Sequence, residues 1–283
     1  MKKIFGTLLS SCALVAFALA LALALTSCSK SKKVVSGGLT IEEGTLKIGM
    51  EVGYPPFEYF DADGTTPIGF DVQLGAEIAR RLGLKVEYVD TAWDGIFAGL
   101  DTKRYDLIMS AMTITEDRLA NYNFSKSYIG NAQAIIVRKD SDKGINTPAD
   151  LEGLKVGFQA ETTSDFYMRS LRDKTGLNFI SEGYDKVMNA YDDLKFKRID
   201  AVCSDSLVAV KYLSEDNCEF KKVWEGVAEE FFGVCISKKN PELLEKVNKA
   251  LDDMIADGTL SKIYIDIFGG DLLYTIKDSP YNK

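Results

Sequence analysis

The chain has 283 residues, with 34 basic against 42 acidic side chains and a formal net charge of −8 at pH 7. That balance argues against nucleic acid as a partner and against adhesion of the folded part to anionic lipid. There is no histidine, which excludes Ser-His-Asp and Cys-His catalysis and every His-ligated metal site; no metal and no cofactor is expected.

In chain order, Lys2 and Lys3 precede an uncharged run from Ile4 to Leu25 that ends in Leu25-Thr26-Ser27-Cys28. A basic start, an apolar stretch and small residues at its end are the parts of a secretory signal. The ending resembles the lipobox of bacterial lipoproteins, which implies cleavage before Cys28 and lipid attachment to that cysteine. The alternative is an uncleaved membrane span, for which the 22-residue run is long enough, but a span gives the cysteine no role. Either way the rest of the chain is expected outside the cytoplasm, beside a membrane. Removing residues 1–27 takes two of the 34 basic residues, leaving 32 against 42 acidic ones, a net charge of −10. The remaining 256 residues suffice for one large or two ordinary domains. Cys203, Cys218 and Cys235 are an odd number without metal-type spacing, so at most one internal disulfide forms.

Residues 28–43, rich in Ser, Lys and Gly, read as a flexible tether. Strand and helix signals then alternate. Leu46 to Met50 reads as a strand. Gly69 to Leu82 sets Phe70, Leu74, Ile78 and Leu82 on one helical face. Lys85 to Val89 is a strand, Trp93 to Leu100 a short helix and Asp106 to Ser110 a buried strand. A second unit follows: strand Ala134 to Lys139, a short helix opened by Pro148, strand Lys155 to Phe158, helix Thr162 to Lys174 and strand Asn178 to Ser181. Helix Tyr184 to Phe196, strand Asp200 to Ser204, helix Asp205 to Leu213 and the apolar run Phe231 to Ser237 complete it. Two helices close the chain, Pro241 to Ala256 and Gly258 to Phe268. This β-α-β order implies an α/β fold with parallel strands, whose ligands lie at the carboxyl ends of the strands.

Thr113 followed three residues later by Glu116 has capping-box spacing, so a helix is expected to start at Thr113 with Arg118 in its first turns. A guanidinium beside free helix N–H groups makes a carboxylate clamp. Alone this is weak evidence, because an arginine near a helix start is more often a surface residue.

Seven motifs are then found in order: Gly53-Tyr54-Pro55-Pro56-Phe57-Glu58; Gly69-Phe70-Asp71-Val72; Met112-Thr113-Ile114-Thr115-Glu116-Asp117-Arg118; Asn123-Phe124-Ser125; Leu151-Glu152-Gly153-Leu154-Lys155-Val156-Gly157; Arg198-Ile199-Asp200-Ala201; and Asp257-Gly258-Thr259-Leu260. In order and spacing the chain resembles the family 3 solute-binding proteins of polar amino-acid ABC importers, over about residues 44–270. The resemblance implies a two-lobe fold of the periplasmic-binding-protein type II class, monomeric, binding a free amino acid and delivering it to an ABC permease and ATPase complex. It implies lobe 1 from residues 44–134 and 238–283, lobe 2 from 140–231, and hinge strands in 135–139 and 232–237. It also implies roles. Arg118, with the backbone of Thr113 and Thr163, would grip the α-carboxylate. Asp205, with Thr113 and the carbonyl of Ala111, would take the α-ammonium. Tyr54 and Trp93 would flank the side chain, and Glu51, Ser110 and Gln159 would meet its tip, with Thr162 beside Thr163. Two positions depart from the family pattern: Glu161-Thr162-Thr163 replaces a frequent Gly-Thr-Thr, and Glu51 stands where Asp is common.

Without the resemblance, Tyr54 and Trp93 read as core or rim aromatics, and Asp205 as a helix N-cap. A dehydratase-type enzyme on the same fold is the rival class; it would need a carboxyl of raised pKa facing a substrate carbon. Two aromatics and Glu51 suit a cationic side chain, so arginine or lysine is expected, with glutamine or cystine as the alternative.

Overall fold

The computed structural model describes residues 38–214 and 217–282. The segment read as a signal (residues 1–27), Cys28 and the part of the expected tether up to residue 37 lie outside the described residues. Among the described residues no helix is long and apolar enough to cross a membrane.

Among the described residues, twelve strands and eight α-helices build two five-stranded sheets and a small two-stranded one. The first sheet contains β1 (Thr45–Met50), β4 (Lys85–Asp90), β5 (Leu107–Ile108), β6 (Tyr122–Asn131) and β12 (Glu230–Ser237), in the order β4-β1-β5-β12-β6. β2 (Tyr59–Phe60) and β3 (Pro67–Ile68) form the two-stranded ribbon. β1 pairs in parallel with β4 and β5, so each connection needs a crossover. The helices α1 (Phe70–Arg81) and α2 (Ile96–Asp101) lie in those two connections.

α1 shows why the sequence folds locally as it does. Phe70, Leu74 and Ile78 recur at helical spacing and are buried, while Gln73 and Arg80 face solvent. Its first N–H groups, on Phe70 and Asp71, donate to the carbonyls of Pro56 and Phe57. That approach requires glycine at the N-cap: Gly69 has φ 126°, and a Cβ there would sit 2.4 Å from the Phe57 carbonyl oxygen.

The second sheet has the order β11-β7-β10-β8-β9, from β7 (Gln133–Arg138), β8 (Lys155–Gln159), β9 (Ile180–Tyr184), β10 (Ala201–Asp205) and β11 (Phe220–Glu225). β8 runs parallel to β9 and β10, whereas β7 is antiparallel to β10 and β11. Strand alternation divides its core. Ile135, Val137, Ala201 and Cys203 pack on one face with Met168 of α4 (Thr163–Thr175). Ala134, Ile136 and Val202 join the main cluster with Ala190 and Leu194 of α5 (Val187–Lys195) and Val208 of α6 (Ser206–Leu213). Both faces are covered, which explains the near-continuous apolar runs. α3 (Glu116–Asn121) precedes β6, and α7 (Pro241–Ala256) and α8 (Thr259–Phe268) return to the first sheet's core through Leu243, Val247, Leu251 and Leu260.

Several expectations shift. The segments 135–139 and 232–237 belong almost wholly to β7 and β12, inside the two sheets; the chain changes sheet at Ala132 and again between Glu225 and Glu230. β6, the strand that leads the chain out of the first sheet, alternates too weakly over Tyr122–Asn131 to be marked in the sequence. Helix α3 is capped by Thr115, not Thr113: the Thr115 hydroxyl accepts the Arg118 N–H, while Ile114 N–H donates to Phe231 O and keeps residues 113–114 extended. β9 reaches Tyr184, so α5 starts three residues later than its apolar pattern suggests. Cys203, Cys218 and Cys235 are free thiols.

Candidate functional site

β1, β4, β5, β8 and β10 end at one cleft, and residues at or beyond their ends line a narrow cavity. Its walls are Glu51, Tyr54, Trp93, Ser110, Ala111, Thr113 and Arg118 on the first sheet's side, and Gln159, Thr162, Thr163 and Asp205 on the other. All eleven are residues singled out from the sequence. The position, outside the carboxyl ends of parallel strands, is the one α/β sheets offer to ligands.

Asp205 sits at the N-cap position of α6, yet its side chain makes no capping bond. Instead Oδ1 accepts from the amides of Asn131 at 2.8 Å and Gln133 at 3.0 Å, and Oδ2 accepts the Tyr54 hydroxyl at 2.5 Å across the cleft. Burial, then the nearby Glu230 carboxylate, push its pKa up to about 7. Glu230 accepts from the same two amides at 3.0 Å. Asn131, Gln133 and Glu230 were not foreseen: they lie at the two points where the chain changes sheet, and only tertiary pairing brings them together.

Arg118 is 9% exposed. Its Nη1 donates to the Thr113 carbonyl at 2.7 Å, and its guanidinium carbon lies 5.5 Å from the Trp93 ring centre and 5.7 Å from that of Phe97. Ion pairs among the described residues engage Arg80, Arg81, Arg138, Arg169 and Arg198, but not Arg118. Burial lowers its pKa, the signature of a cation taken from water without full compensation.

At the far end, Glu51 is 3% exposed, and its Oε2 accepts from Gln159 Nε2 at 2.6 Å across the cleft. Burial pushes its pKa up, against the opposing pull of the Gln159 hydrogen bond and the Lys186 charge. Beneath this end, the Ser110 hydroxyl bridges the Glu51 N–H and Glu58 Oε1, while Asp71 Oδ2 accepts the Ala111 N–H at 2.7 Å. Asp71 thereby holds Ala111 in a left-handed turn, φ 45°. Glu161 likewise takes φ 61°, the conformation a glycine would adopt without strain; its carbonyl accepts the Trp93 indole N–H at 3.2 Å. Among the described residues no group of His, Cys, Asp or Glu is placed to hold a metal.

The family described as bacterial extracellular solute-binding proteins, family 3, matches residues 46–270. The chain belongs to that family. This family 3 protein is 34% identical to the L-cystine-binding protein TcyJ of Escherichia coli (strain K12), over 82% of this chain and 85% of that one. A solved ancestral arginine-binding protein bound to arginine is similar at TM-score 0.75 and 40% identity, covering 80% of this chain and 99% of that one. The ancestral amino-acid-binding protein AncCDT-1, a precursor of cyclohexadienyl dehydratase, is similar at TM-score 0.73 and 35% identity, over 80% and 96%. Together these establish the two-lobe periplasmic-binding-protein type II fold and an amino-acid ABC-transport binding protein that works outside the cytoplasm.

Proposed function

We propose that the cavity holds one free α-amino acid, with Arg118 on its α-carboxylate and Asp205 on its α-ammonium. The observation that carries this reading is a buried guanidinium and a buried carboxyl group on the two walls of one cavity, not joined to each other in an ion pair; a ligand ammonium beside Asp205 favours its ionised form. A zwitterion leaving water loses several kcal/mol unless each charge is matched. Arg118 and Asp205 offer one match each, from opposite lobes, so a bound ligand also ties the lobes together. Thr113, Thr162 and Thr163 supply further polar groups, and Tyr54 and Trp93 flank the side chain.

The side chain is cationic on this reading, arginine or lysine. With the zwitterion matched, the remaining charge on the wall is Glu51, and a guanidinium or ammonium between aromatics gains about 0.5–2 kcal/mol. Calorimetry on wild type and Glu51→Gln tests it. Arginine should bind more tightly than glutamine to the wild type, and the substitution should weaken arginine by about tenfold or more while sparing glutamine. Equal affinities, or no effect of the substitution, contradict it. Cystine is the second reading, favoured by the likeness to TcyJ; its tighter binding in the same titration would replace the cationic assignment.

The chain acts as a receptor and not as an enzyme on this proposal. The Asp205 carboxyl accepts three hydrogen bonds that fix it towards an ammonium, and any amino acid that binds should be recovered unchanged. Anchoring through lipidated Cys28, the monomeric state and delivery to a permease and ATPase belong to the same proposal. Cys28→Ala should abolish lipid labelling and release the protein from membranes; unaltered labelling contradicts it.

A further inference from the structure

We infer that Lys186 is a specificity-determining residue, a cation built into the far end of the cleft that limits how strongly Glu51 attracts a positively charged side chain. The inference rests on the amino-acid reading above and goes beyond it, because Lys186 is not on the cavity wall.

Lys186 precedes α5 on the second lobe and reaches across the cleft, where its Nζ donates to the Val52 carbonyl at 3.1 Å. Val52 follows Glu51 in the chain. The neighbouring Asp185 carbonyl accepts Gln159 Nε2 at 2.9 Å, and the same Nε2 donates to Glu51 Oε2 at 2.6 Å. Glu51, Gln159, Asp185, Lys186 and Val52 therefore close a ring of contacts behind the tip of the cavity. The fit is tight. A Cβ built on Gly53 would lie 3.3 Å from Lys186 Nζ and 3.4 Å from its Cδ, so the glycine makes room for the ammonium and its stem.

Electrostatics gives this contact its consequence. The Lys186 charge acts on Glu51 in the direction that stabilises the carboxylate, while Asp90, which accepts the Val52 N–H at 2.9 Å, acts in the opposite direction. With Lys186 in place, the two carboxylates Glu51 and Asp90 are partly offset by one cation. A cationic ligand side chain meets a weaker field than Glu51 alone would produce, and a neutral polar side chain meets less of a penalty. The residue thus broadens selectivity towards neutral ligands while it latches the lobes.

Lys186→Met removes the charge and keeps most of the stem, and Lys186→Arg restores a cation. Arginine and glutamine are titrated calorimetrically into each. A simple latch would lower both affinities in the same proportion. The inference expects the arginine-to-glutamine affinity ratio to rise about three- to tenfold in Lys186→Met and to return to within about twofold of wild type in Lys186→Arg. An unchanged or lower ratio in Lys186→Met, or an equal rise in both variants, overturns it. A wild type that binds neither amino acid, nor cystine, is a different failure, since it removes the amino-acid reading itself.

Discussion

Replacing Asp205 by Asn should flatten the pH dependence of stability in the ligand-free protein. Burial and Glu230 raise the folded-state pKa of Asp205 from 3.8 to about 7. The folded chain therefore holds this proton where the unfolded chain has lost it. Protonation contributes stability that is fully present below 3.8 and disappears as pH rises through about 7. At about 1.4 kcal/mol per pH unit, the full contribution is about 4 kcal/mol, and about 3 kcal/mol of it is lost between pH 5 and pH 8. For a chain of this size that corresponds to a fall in Tm on the order of 5–10 °C. Thermal unfolding at pH 5 and pH 8 should show a steeper fall in wild type than in Asp205→Asn. Asp71, which burial also raises to about 7, preserves part of the slope in the variant. A saturating ligand whose ammonium pairs with Asp205 should reduce the wild-type slope as well. Identical slopes in wild type and Asp205→Asn would refute the assignment of a raised Asp205 pKa.

Arg118→Met should weaken binding of any α-amino acid by about 100-fold, and Arg118→Lys by about tenfold, because lysine keeps the charge but not the planar donor pair; calorimetry reads both. Tyr54→Phe deletes the cross-cleft bond to Asp205, worth about 1 kcal/mol net, so the ligand-free protein should show a larger radius of gyration in solution scattering. Leu74→Ala, in the fully buried face of α1, should cost about 2–5 kcal/mol in denaturant unfolding while leaving ligand affinity intact.

Much of this was legible because the signals are local. The helical spacing of Phe70, Leu74 and Ile78 and the apolar face of α7 fix their elements from a dozen residues each, and α7 runs from Pro241 to Ala256 as read. Glu51, Tyr54, Ser110, Ala111, Thr113, Arg118 and Gln159 stood in or beside motifs whose order carried the family likeness, Trp93, Thr162, Thr163 and Asp205 stood apart from them, and the fold brings all eleven to one place. What escaped was tertiary. β6 pairs with β12 from more than ninety residues away, as in Asn131 with Glu230, and its ten residues alternate too weakly to announce a strand. The Thr113 cap failed because Ile114 is held extended by Phe231, a partner the local spacing does not contain. Asn131, Gln133 and Glu230 acquire their role around Asp205 only once both passages between the sheets are folded side by side. Lys186 carries no local signal, and its place beside Gly53 and the Val52 carbonyl emerges only in the folded chain.

The central claim is that Arg118 and Asp205 hold the two charges of a free amino acid. It is tested most directly by titrating arginine and agmatine, its counterpart without the α-carboxylate, into the purified protein. Arginine should bind at one molecule per chain and be recovered unchanged, while agmatine, leaving Arg118 buried without its anion, should bind at least about 100-fold more weakly. Comparable affinities for the two, or conversion of arginine during the titration, would contradict the account.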